Sequence, residues 1–80
     1  LPDQPGRVRL LQLYAGTLPF TPDALAEAAR RTEGTTASFA KELIRRAVLL
    51  AAGRDQEPTD VDLTAALDEL GLRRAAGGFR

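Results

Sequence analysis

The amino-acid sequence predicts an all-α fold, a four-helix lid-type bundle, on three observations. Apolar residues recur at three- and four-residue spacing in separate segments, capping residues and prolines mark where the segments start, and glycines follow them. No alternating strand pattern interrupts this order, and no internal repeat or low-complexity tract appears. Eighty residues make one small domain. A chain of that size removes roughly 60–65% of its unfolded surface from water, too little for a deep catalytic cavity.

Pro2 and Pro5 hold the opening in an extended or turn conformation, and Gly6 precedes a run of good helix formers from Arg7 to Tyr14. The first helix is predicted from about Gln4 or Pro5 to Ala15, with Gly16 as an αL-type stop and Pro19 forbidding continuation. Thr21-Pro22-Asp23 supplies a capping hydroxyl, a proline for the first helical position and an acid for the first turn. The second helix then runs from Pro22 to about Arg31 and buries Leu25, Ala28 and Ala29 on one stripe.

Gly34 breaks that helix, and Thr35 or Thr36 caps the third, which extends to about Ala52 before Gly53 ends it. Its apolar positions Phe39, Ala40, Leu43, Ile44, Ala47, Val48, Leu50 and Ala51 cover more than one narrow face, so it should lie centrally with neighbours on two sides. Glu42 and Arg46 stand in the favourable order for an i,i+4 pair. Thr59, followed by an acid at Asp62, opens the last helix as in a capping box, and Leu63, Ala66, Leu67 and Leu70 supply its stripe up to Gly71. Residues 72–80 carry arginines, alanines and two adjacent glycines without a packing pattern and are expected to form a flexible tail.

Composition narrows the function classes. The 11 basic and 11 acidic side chains cancel, so the overall field recruits neither nucleic acid nor an anionic membrane. Cysteine and histidine are both absent, which removes disulfides, thiolate chemistry, a zinc site and histidine-based hydrolysis from this chain. No run of ~20 apolar residues and no charged-then-apolar leader is present, which predicts a cytoplasmic domain. With no methionine and a Leu1-Pro2-Asp3 opening, the chain reads as a piece of something longer. There is also no Gly-x-x-x-x-Gly-Lys-Ser/Thr loop and no apolar strand ending in Asp-Glu, so no catalytic residues for phosphoryl transfer are expected here.

The richest stretch is Thr32-Glu33-Gly34-Thr35-Thr36-Ala37-Ser38, a glycine-containing turn opening into the third helix. A helix start carries unpaired N–H groups and positive potential, and Ala37 and Ser38 leave little side chain in a ligand's way. The same residues also make an ordinary capped helix start. Taken with Leu1-Pro2-Asp3-Gln4-Pro5-Gly6-Arg7, the run Arg7 to Tyr14, and Thr59-Asp60-Val61-Asp62-Leu63 followed by Ala65-Ala66-Leu67, the order resembles the small C-terminal helical domain, or lid, of AAA+ ATPases. The resemblance covers residues 1–71, with 1–6 matching the hinge that leaves the large P-loop domain.

That resemblance implies adenine and ribose contacts at Leu10 and Tyr14 on the first helix, closed over by Ala37 and Ser38. Leu10 and Tyr14 share a helix face, while Val8, Leu11 and Ala15 offer a second stripe for the core. Both could instead be plain core. Relatives often carry histidine at the Tyr14 position and Gly-Ala at the small pair. Ala37 to Ala40 hold no arginine, and Arg45 lies about 12 Å further along the axis, so the chain resembles the clade without a sensor 2 arginine. The resemblance further implies ATP and Mg²⁺ in the parent protein, none bound by the isolated domain, and a hexameric ring as the working assembly. An alternative reading is a free-standing adaptor that binds protein or nucleic acid through Arg45, Arg46, Arg73, Arg74 and Arg80.

Overall fold

The structure, a computed structural model, describes residues 1–71; the tail predicted for 72–80 lies outside the described residues. Four helices follow one another, α1 (Gln4–Ala15), α2 (Pro22–Arg31), α3 (Ala37–Ala52) and α4 (Asp60–Glu69), and no strand occurs among the described residues. This is the all-α four-helix arrangement that the spacing of apolar residues predicts.

The helices close into a ring of contacts in which α1 packs on α2 and α3, and α4 packs on α3 and α2. The long α3 has its two neighbours, as its broad apolar surface requires, but α1, α2 and α4 have two each as well. Leu11, Leu43, Leu63 and Leu67 fill the centre with essentially no exposed surface. Each such leucine contributes about 1.5–3 kcal/mol relative to an exposed one. Ala28, Ala29, Ala40, Ala47 and Ala66 are buried beside them, and small side chains at those positions let the helices approach closely.

Local chemistry starts each helix. The Thr21 hydroxyl accepts from the Ala24 N–H at 3.1 Å and Thr36 accepts from Phe39 at 3.3 Å, so Thr36 rather than Thr35 caps α3. At α4 the Thr59 N–H donates to Asp62 Oδ2 at 2.8 Å, the acid reaching back as a capping box requires. Asp3, whose side chain accepts from the Gly6 N–H at 2.9 Å, caps α1.

Three local expectations are corrected. Gly16 has the positive φ of 57° expected of a glycine stop, but its ψ of −119° lies outside the αL region. Gly53 caps the end of α3 as expected, at φ −63° and ψ −20°, and the chain turns just beyond it at Asp55, φ 57°, a residue type whose short polar side chain tolerates the left-handed region. Finally, Arg46 pairs with Glu69 of α4 at 3.3 Å, and Glu42 faces Arg45 at 3.6 Å, because a partner on the packed neighbour competes with the local one. Val48, expected on the buried side, is 36% exposed.

Candidate functional site

Leu10 and Tyr14 stand one turn apart on α1. Both are half-buried and pack against the hydrophobic core while keeping part of their surface in solvent. The fully buried stripe of the same helix is Arg7, Leu11 and Ala15, so α1 presents its core contact on one line and Leu10 with Tyr14 beside it. Val8, assigned to the core stripe from the sequence, is half-buried. Leu10 and Tyr14 thus pack on the core and keep part of their surface accessible.

Ala37 and Ser38 are exposed as the first two residues of α3. The turn before them is built by Gly34 at φ 83° and by Thr35, whose hydroxyl and N–H both donate to the Thr32 carbonyl, at 2.7 and 3.0 Å. Thr32 is itself buried, its hydroxyl shared between the Ala28 and Ala29 carbonyls at 2.9 and 3.1 Å. The loop is therefore fixed to the end of α2 at Thr32, and it delivers Ala37 and Ser38 to the surface. Because α1 and α3 pack together, the two predicted pairs lie on adjacent helices.

Lys41 and Arg45 are exposed further along α3, and Arg45 and Arg46 both face acids. A cationic surface built on those two arginines is accordingly compensated, and Arg73, Arg74 and Arg80 lie outside the described residues. Among the described residues no three acidic side chains gather as a metal site, and no helix is long and apolar enough to cross a membrane.

The partners of two buried polar groups, Arg7 and the capping acid Asp62, escape a reading of sequence alone. Arg7, 6% exposed, donates from Nε to the Ala29 carbonyl at 2.7 Å and from Nη1 to the Pro2 carbonyl at 3.0 Å. Asp62, 2% exposed, takes both terminal nitrogens of Arg54, at 2.7 and 3.0 Å. The Arg54 bond, followed by the Thr59 N–H, holds the Asp62 carboxyl well below the usual range, at about 2. Neither group adjoins the predicted pairs in sequence, and both tie helices together.

No protein-family profile matches the chain. Over 71 residues, 88% of its length, the chain is 38% identical to the ATP-dependent zinc metalloprotease FtsH of Syntrophus aciditrophicus (strain SB). That similarity supports an AAA+ relationship. The matched stretch is 9% of the relative's length, a small part of a much larger protein.

Proposed function

We propose that this chain is the helical lid of an AAA+ ATPase, contributing adenine and ribose contacts to a nucleotide held by a separate P-loop domain. The observation that carries the reading is the similarity to an ATP-dependent protein across 88% of the chain. The predicted contact residues fit a purine by their chemistry. Tyr14 offers a partly exposed ring able to stack on a base, Leu10 an apolar edge beside it, and Ala37 and Ser38 an exposed helix start with little side chain in the way.

The lid supplies position rather than phosphoryl chemistry. ATP with Mg²⁺ would bring the reactive phosphates, and the P-loop domain would hold them. Hydrolysis changes the contacts at the phosphates, the angle between lid and P-loop domain follows, and a hexameric ring passes that rotation to a neighbouring subunit. The zinc chemistry in the relative's name has no counterpart here, since the chain contains neither histidine nor cysteine. In the full-length protein, Tyr14→Ala should weaken ATP binding by about tenfold, roughly the 1.4 kcal/mol of one stacking contact. Isothermal titration with a non-hydrolysed ATP analogue reads this directly. Unchanged affinity removes Tyr14 from the site.

A further inference from the structure

We infer that residues 2–6 are a built part of the helical domain, clamped there by Arg7, so that any swing of a preceding domain pivots ahead of Pro2. The clamp itself stands on this chain alone; its consequence for the swing rests on the lid reading above.

The Arg7 guanidinium is buried, and among the described residues no carboxylate pairs with it. A buried cation needs compensation, and here it comes from two carbonyls of different origin. The Ala29 carbonyl belongs to the last turn of α2, where the helix dipole is negative and intrahelical partners run out. The Pro2 carbonyl belongs to the strap ahead of α1. One side chain therefore joins the strap, α1 and the end of α2.

Two further contacts tighten the strap. The Arg7 N–H donates to the Asp3 carbonyl at 2.8 Å, and the Asp3 carboxylate accepts from Gly6 at 2.9 Å. At Gly6 the fit is close enough that an added Cβ would stand 3.0 Å from Asp3 Oδ1 and 3.3 Å from the Pro2 Cβ. A hinge absorbs its rotation in backbone that is free to change φ and ψ, and residues 3–7 are committed to a capped helix start.

Heteronuclear ¹H–¹⁵N NOE measurements on the 80-residue chain test the clamp without any substitution. The Asp3, Gln4 and Gly6 amides should match those of central α3, and coil-like values at these three would overturn it. Gly6→Ala gives a second, signed test. In a helix start with a free strap the alanine raises Tm by up to roughly 5 °C, since glycine is the poorer helix former. With the strap clamped, the new methyl displaces Asp3 and Pro2 and Tm falls; a rise refutes the clamp. Arg7→Lys, which keeps the charge but cannot span both carbonyls, should lower the NOE values at Asp3, Gln4 and Gly6 and leave those of α3 and α4 unchanged. Because none of these readouts involves nucleotide, a failure of the lid reading leaves them unmoved, and a failure of the clamp leaves the Tyr14 titration unmoved.

Discussion

The starts of α4 and α3 use the same device, a threonine at the N-cap, and reach opposite ends. At α4 the capping acid Asp62 is buried, holds the Thr59 N–H, and is gripped by both arms of Arg54 from the loop after α3. At α3, Thr36 is exposed and engages a single N–H at 3.3 Å, with exposed Ala37 and Ser38 following. The α4 start is held by a buried carboxylate, whereas the first two residues of α3 are left exposed beyond a single side-chain cap.

Charge at the α4 start makes the largest difference testable. Asp62 ionises near pH 2 in the folded chain, against about 3.9 for an unperturbed aspartate. Its depressed pKa contributes stability that is fully present above pH ~4 and is lost as pH falls toward 2. Asp62→Asn should therefore lower the urea midpoint clearly at pH 7, and the gap between variant and parent should close as pH drops through that window. A gap constant from pH 7 to pH 2.5 would mean that packing, not ionisation, holds this corner.

Much of this contrast is legible in the sequence, and the reason is range. Thr21 and Thr36 accept from N–H groups three residues on, Asp62 accepts from the Thr59 N–H three residues back, and Leu25, Ala28 and Ala29 share a stripe by local periodicity, so these features follow from neighbours along the chain. Arg7 does not, because its acceptor on α2 is a carbonyl 22 residues away and a carbonyl leaves no mark in the sequence. Arg46 illustrates the same limit. Glu42 is a sound local partner, yet Glu69, 23 residues on, takes it once α4 packs on α3. For the site, Leu10 and Tyr14 are readable from sequence as either core or contact, and the fold packs both partly on the core while part of each stays accessible.

A middle case sits at α2. Thr21 caps Ala24 and also meets Asp60 of α4 twice, through its own N–H at 3.0 Å and its hydroxyl at 2.7 Å. Thr21→Ala removes the cap and the hydroxyl bond together while keeping the N–H contact. The loss should be about 1–2 kcal/mol, the upper half of the range for N-cap threonines, read by urea unfolding. A loss under about 0.5 kcal/mol would show that the exposed Asp60 link adds nothing.

Thr36→Ala should give the smallest effect, about 0.5 kcal/mol, since one long, exposed bond is all that the side chain supplies to the protein itself. The comparison then yields its sharpest form in the full-length protein. Ligand that covers the α3 start would stabilise the folded state by mass action, and that gain depends on the helix start being in place. ATP should therefore raise the Tm of the parent protein more than that of Thr36→Ala, although the two differ little without nucleotide. An equal rise in both, with Thr21→Ala behaving the same way, would mean that the weakly held start of α3 is only a surface and not a place where a nucleotide rests.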